Sequence, residues 1–299
     1  MARRKLLFRG TGTALVTPFK KDGTVDEVVL RELVDRQIKA GVEALVPVGS
    51  TGEGATLAEA EQAQVIEMVV DQTHGRVPVI GGASSNATAK AVALAKEAKR
   101  RGADAVLTVA PFYNKPTQEG LYQHFSAIAD AVEMPIVIYN VPGRTASNIE
   151  AATTLRLAEE VSYIAGVKEA SGNLSQIMEI LHHRPPGFGV WSGDDNLTFP
   201  LVALGADGII SVVSNEVPAE FSLMVRYALK GKFDRAREIH FRLLHLMTAN
   251  FIESNPIPVK AAMAMMGLLE DTCRLPLTPL SEGSRPRLEK ALRQLKLVR

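Results

Sequence analysis

Two hydrophobic periods alternate along the chain. Short runs rich in small and branched residues, such as Ala44–Val48, Ala105–Ala110 and Ile136–Asn140, are separated by longer stretches with helical spacing, such as Val29, Leu33, Val34 and Ile38. The first kind predicts buried strands and the second amphipathic helices. On this pattern strands fall at 11–19, 44–48, 77–81, 105–110, 136–140, in the run Ile164–Lys168, at 189–192 and at 207–213. Helices are expected at 25–40, from a capping box at 56–59 to about 74, and at 87–101, 118–132, 150–160, 174–183 and 196–204. Strands alternating with helices of this length imply a parallel sheet. Eight such units in a little over 200 residues predict a (β/α)8 TIM barrel over 1–225, followed by a C-terminal helical region over 226–299. That region should hold helices at 218–250, broken at Gly231, and at 258–269 and 285–297. A doubly wound sheet would carry G-x-G-x-x-G after its first strand, and none is present.

One short form recurs: Gly41-Val42-Glu43-Ala44, Gly102-Ala103-Asp104-Ala105 and Gly205-Ala206-Asp207-Gly208. Each is a helix-closing glycine, a small residue, an acid and then a strand. These acids lie at the amino ends of strands, the stability face of a barrel, and no catalytic role is expected of them.

Composition narrows the setting. The chain has 299 residues, 46% hydrophobic and 22% charged, with a formal net charge of +1. That balance argues against nucleic acid as the main partner. Cys273 is the lone cysteine, which excludes an intrachain disulfide and fits a reducing, cytoplasmic setting. The start Met1–Arg9 is basic, but its apolar run is too short for a signal peptide. No apolar stretch approaches the roughly 18 residues of a membrane span.

In a TIM barrel the loops after the strands meet on one face, where active sites lie. Lys168 sits at a strand end before Ser171-Gly172. Alone, such a lysine is most simply a solvated charge; held in a pocket, it becomes a nucleophile for carbonyl carbon. The second loop, Gly49-Ser50-Thr51-Gly52-Glu53, brings two hydroxyls and several backbone N–H groups suited to a carboxylate. Tyr113, Tyr139 and Arg144 belong to the fourth and fifth loops and strand ends, and Gly193-Asp194-Asp195 to the seventh. Asp194 and Asp195 are expected to cap a helix rather than to bind metal, since no further ligands accompany them. No H-E-x-x-H or Ser-His-Asp pattern is present.

The stretches Gly49–Glu53, Tyr139–Thr145 and Gly166–Gly172, in this order, resemble the dihydrodipicolinate synthase / N-acetylneuraminate lyase family. The resemblance covers Thr11 to about Leu280 and implies a Schiff-base, pyruvate-dependent aldolase on this barrel. Within the family, Pro111–Pro116, Arg144, Ser192–Asp195 and Asn255–Lys260 are similar to the synthase branch. It implies that Lys168 forms an imine with pyruvate, without metal or other cofactor. Tyr139, Thr51 and Tyr113 would relay protons, Tyr113 reaching in from a neighbouring subunit. Ser50, Thr51, Gly193 and Ile210 would line the substrate site, and Arg144 would bind the carboxylate of aspartate semialdehyde. A homotetramer is implied. The alternatives are a lyase of 2-keto-3-deoxy sugar acids or of N-acetylneuraminate, and a non-catalytic barrel. Two positions depart from the synthase pattern. Ser50 stands where threonine is more usual. Glu59, Gln62, Lys90 and Phe112 occupy the places of a lysine-effector site built from histidines, an acid and a tyrosine. Weak or absent inhibition by L-lysine is therefore expected.

Overall fold

A computed structural model describes residues 6–299. Met1–Lys5, part of the stretch weighed above as a leader, lie outside the described residues. Eight parallel strands form one sheet: β1 (Gly10–Ala14), β2 (Ala44–Val46), β3 (Ile80–Gly82), β4 (Ala105–Val109), β5 (Ile136–Asn140), β6 (Ile164–Glu169), β7 (Gly189–Ser192) and β8 (Gly208–Ser211). Their order is β2-β1-β8-β7-β6-β5-β4-β3. A parallel bridge between Leu45 and Val79 joins its two edges, so the expected (β/α)8 barrel is formed.

Strand alternation divides the core in two. Ala44, Val46, Ala105, Leu107, Val137, Tyr139, Trp191 and Ile210 form the barrel interior. Leu45, Val106, Ile136, Ile138, Ile164, Val167 and Val190 face outward, against the helices. This is the period of two expected of strands buried on both faces. Trp191 fills much of the interior and stacks on Phe8, with ring centroids 4.8 Å apart. A Cβ on Gly189 would come within 2.2 Å of its ring, and one on Gly166 within 2.3 Å of the Gly189 carbonyl oxygen and 2.6 Å of the ring.

The recurring acids tie strand to strand. Glu43 accepts the Thr11 N–H (2.7 Å), Asp104 the Val79 N–H (2.8 Å) and Asp207 the Val190 N–H (3.0 Å). Each reaches back to the preceding strand, at the face opposite the loops after the strands. Glu43 and Asp207 are also paired with Arg226 and Arg184.

Three expectations require correction. The first strand ends at Ala14 instead of continuing to 19, because the Asn215 side chain takes over its backbone groups: its Nδ2 donates to Ala14 O (2.8 Å) and its Oδ1 accepts from Val16 N (3.2 Å). The helix expected after 56–59 runs Glu59–Thr73, and its capping carboxylate is Glu61, which accepts the Ala58 N–H at 2.8 Å. Thr56 instead donates to Glu53 O and belongs to the preceding loop. Asp194 occupies an N-cap position without a side-chain cap bond. Asp195 reaches across to β8, accepting from the Ser211 hydroxyl (2.6 Å) and the Val213 N–H (2.9 Å), because the short turn it opens lies against that strand end.

Past the barrel, helices Pro218–Leu229 and Phe233–Ala249 are separated by Gly231 at φ 69°, where the pattern predicted a break. The expected division between 225 and 226 falls inside the first of them. Helices Ile257–Met265 and Arg285–Gln294 complete the region, with Leu243, Leu246, Leu288 and Leu292 buried together. This region grips the loop after β2. Lys260 and Glu53 form an ion pair at 2.6 Å with both side chains fully buried. Lys260 also donates to Thr17 O (3.1 Å), and Glu53 accepts the Arg274 N–H (3.0 Å). Lys260→Met would leave Glu53 buried without its countercharge. A loss of about 3–5 kcal/mol in unfolding free energy is expected, read by denaturant titration; a loss below about 1 kcal/mol, the scale of an exposed pair, would contradict this.

Candidate active site

The register of three adjacent strands builds the centre. Tyr139 on β5, Lys168 on β6 and Trp191 on β7 are lateral partners. Partners in register share a face of a parallel sheet, so all three point inward near the carboxyl ends. The Lys168 ammonium lies 4.4 Å from the Tyr139 ring centroid. Lys168 is 3% exposed. Gly193 makes room for it: a Cβ there would stand 3.1 Å from Lys168 Cε and 2.6 Å from the Ala170 Cβ. Ile210, on β8, is fully buried in the same interior.

Burial sets the charge states. Loss of hydration pulls the Lys168 amine down to about 8, against the opposing pull of Asp195 and Asp194. The same desolvation pushes the Tyr139 phenol up to about 12, while Arg144 and a hydrogen bond from Ser50 act the other way. Asp195 is raised to about 6, chiefly by burial. Near neutral pH the site therefore holds an amine that is readily deprotonated beside a protonated phenol.

Glu169, the next residue on β6, points outward. Its carboxylate accepts from Ser171 N (2.7 Å), Asn140 Nδ2 (3.1 Å) and Gln176 Nε2 (3.3 Å). It ties β6 to its neighbours and does not face the amine.

A cavity of about 280 Å³ opens above Tyr139, walled by Ser50, Leu107, Phe112, Tyr139, Arg144 and Thr145 among others. Lys168 lies outside this wall, against the Tyr139 ring. Thr51, 2% exposed, sits beneath the loop surface and accepts from Asn255 Nδ2 at 2.9 Å. Arg144 lies on the short helix Pro142–Thr145, absent from the predicted elements, and its Nη2 donates to Asn255 O at 3.3 Å. Its remaining donors are available to an anion in the cavity. A wider depression of about 560 Å³ lies among Arg36, Lys39, Glu216 and Pro218. It borders none of the strand-end residues and contains no comparable chemistry. Of the predicted relay residues, Thr51 does not border the cavity, and the single chain does not bring Tyr113 to it: Tyr113 is 89% exposed, on backbone at φ 75°. Among the described residues no group of three or more His, Cys, Asp or Glu side chains could hold a metal.

The chain matches the Dihydrodipicolinate synthetase family over residues 7–295. It belongs to that family. It is 56% identical to the 4-hydroxy-tetrahydrodipicolinate synthase of Koribacter versatilis (strain Ellin345), over 94% of each chain. Among solved structures it resembles the chloride-inhibited dihydrodipicolinate synthase of Acinetobacter baumannii complexed with pyruvate: TM-score 0.95, 43% identity, covering 97% of this chain and 100% of that one. It also resembles a dihydrodipicolinate synthase variant described as the first monomeric one: TM-score 0.96, 43% identity, 98% of each chain.

Glu59 and Lys90 pair with each other at 3.0 Å. Gln62 Nε2 donates to Gly54 O (2.8 Å) and Leu57 O (3.2 Å), and both Gln62 and Phe112 line the cavity beside Tyr139 and Arg144. The sequence marks Asn255 and Asp195 only as part of family-like stretches and, for Asp195, as a helix cap; their contacts with Thr51 and Arg144, and with β8, are not visible in it. Asn255 lies 111 residues from Arg144 and 204 from Thr51, a distance that no local pattern bridges.

The lowered amine of Lys168 has a stability consequence. Its folded pKa lies below its unfolded value, so the unfolded chain binds more protons between about pH 8 and 10.5, and stability rises through that window. At pH 7 the buried amine is therefore a net cost. Lys168→Met is expected to be inactive yet more stable at pH 7, by up to roughly 3 kcal/mol, and the difference should shrink as pH rises from 8 toward 10.5. Chemical unfolding across pH 7–10 reads this; a variant less stable than the parent at pH 7 would contradict it.

Proposed function

We propose that this protein is a lyase that condenses pyruvate with L-aspartate 4-semialdehyde to 4-hydroxy-tetrahydrodipicolinate, the entry step of the diaminopimelate route to lysine. The observation that carries it is the buried Lys168 amine against the Tyr139 ring, with Arg144 at the mouth of the adjoining cavity. The names of the relatives support the same assignment. The deprotonated amine attacks the pyruvate carbonyl, and water leaves to give an imine. The imine draws electrons from the methyl group, which loses a proton to become an enamine. The enamine carbon attacks the aldehyde and a C–C bond forms, the aldehyde oxygen taking a proton. The amine of the joined product then displaces Lys168 and closes the ring. One water is released overall, and Lys168 is regenerated.

Tyr139, protonated and held by Ser50, and Thr51 move these protons; a placed acid–base group contributes roughly 10²–10⁴-fold. The backbone groups of the loop after β2 and Arg144 hold the two carboxylates in reacting geometry. Gly193 and Ile210 shape the Lys168 pocket. Tyr113, solvent-facing in one chain, completes the relay in a neighbouring chain, which makes the working form an oligomer; a homotetramer is our reading. No cofactor is required, because Lys168 is itself the covalent handle. Cys273 as the lone cysteine agrees with the cytoplasm, and no helix among the described residues is long and apolar enough to cross a membrane.

Purified protein should form product from pyruvate and aspartate semialdehyde and should not cleave N-acetylneuraminate or 2-keto-3-deoxy sugar acids. Arg144→Ala should raise KM for the aldehyde at least about tenfold, the scale of a lost charge-assisted pair, with KM for pyruvate little changed. Turnover of the sugar acids alone would replace this reading with the lyase branch. Inhibition by L-lysine should be weak or absent, since Glu59 and Lys90 are engaged with each other and Gln62 with the backbone of its own loop. Strong inhibition at low lysine concentration would overturn that.

A further inference from the structure

We infer that Asp195 is a positioning residue for the Lys168 amine: its carboxylate joins the ends of β7 and β8, which wall the amine's pocket, and keeps a fixed negative charge near it. This rests on the reading above, in which Lys168 is the nucleophile. The two strands pair at Trp191 with Gly208 and at Ser192 with Ile209, and there the ladder stops. Just past it lie Gly193, whose missing Cβ leaves room for Lys168 Cε, and Ile210, buried in the barrel interior. The Asp195 carboxylate takes over where the ladder ends. It accepts from the Ser211 hydroxyl (2.6 Å) and from the N–H groups of Val213 (2.9 Å) and Val212 (3.3 Å).

These donors are themselves fixed in direction. Gln37 Nε2 donates to Ser214 O at 2.9 Å, which leaves its Oε1 to accept from Thr13 at 2.9 Å. Ser214 gives its own hydroxyl proton to Thr13 (2.9 Å), and Ser211 Oγ accepts the Ser214 N–H (3.0 Å). The single hydroxyl proton of Ser211 is therefore left for Asp195. Each of these five residues is at most 1% exposed. Three donors favour the charged form of a carboxyl that burial disfavours. At about 6, Asp195 stays ionised through the range around 8 in which the amine titrates, and its charge acts on Lys168 more than any other. The remaining charges about the amine are Asp194, acting the same way, and Arg144, acting against both; Tyr139 stays protonated and Glu169 points out of the barrel. Asp195 itself faces Lys168, Asp194 and the buried carboxyl of Glu216.

The test is the pH dependence of kcat/KM for pyruvate, measured on the full-length protein with aspartate semialdehyde from about pH 6 to 9.5; its acid limb reports the amine of the free enzyme. Asp195→Asn removes the charge and keeps an acceptor for the Val213 N–H. Loss of the negative charge disfavours the ammonium, so the limb should move to lower pH, by at least about half a unit. A residue that only ties two strands together would lower turnover and leave the limb in place. A smaller shift than this, or one to higher pH, would overturn the inference. Should Asp195→Asn not fold, Asp195→Ser, a smaller neutral acceptor, carries the same expectation and decides it. Wild-type turnover keeps the two claims apart. A wild type that forms no product sinks the proposed function, whereas normal wild-type turnover with an unmoved limb in the variant sinks only the role of Asp195.

Discussion

Removing one amine from water is the interaction on which the rest of the site depends. Lys168 loses its hydration inside the barrel, and that loss, aided by the charge of Arg144, brings it to about 8 despite two nearby carboxylates. The fold is arranged to make that burial possible. Gly193 yields the space beside Cε, the Tyr139 ring covers the ammonium, and Trp191 on the next strand closes the interior below. The same low-polarity surroundings keep Tyr139 protonated. One physical cause therefore sets a readily deprotonated amine beside a protonated phenol, as lateral partners on adjacent strands. The cost is a buried charge at neutral pH, the kind of local instability that working sites carry.

The C-terminal helical region belongs to the same construction. A barrel alone presents its loops without fixing them. Here Lys260, Arg274 and Asn255 grip the loop after β2 at Glu53 and Thr51, and Asn255 also touches Arg144. Thr51 and Arg144, which follow different strands, thus both meet one segment. The pair Glu53–Lys260 is costly to bury, and its value lies in allowing a single placement of that loop.

Much of this was legible along the chain. The alternation of periods specified eight strands, and strand alternation set Lys168 inward and Glu169 outward. The recurring Glu43, Asp104 and Asp207 were placed on the stability face, where each holds a neighbouring strand by a backbone N–H. The family resemblance was carried by loops that converge only once the barrel closes, and the comparisons established it. What was not legible was long-range. Nothing local tells that Asn215 ends β1, that Asp195 serves β8 instead of its own turn, or that Gly166 is small because the Gly189 carbonyl and the Trp191 ring lie over it. The Thr56 and Glu59 pair had the form of a capping box, yet tertiary bonds drew Thr56 into the loop and left the cap to Glu61. Asn255 reaches Thr51 across most of the chain, and no periodicity marks such a contact. Tyr113 poses the same problem one level up, because one chain leaves it in solvent.

The central claim is that Lys168 is the covalent centre, and covalent trapping reaches it most directly. Protein incubated with pyruvate and sodium borohydride, then digested and analysed by mass spectrometry, should carry one reduced pyruvate adduct, on the peptide containing Lys168. An adduct on another lysine, or none at all under conditions where the protein turns over, would contradict the account.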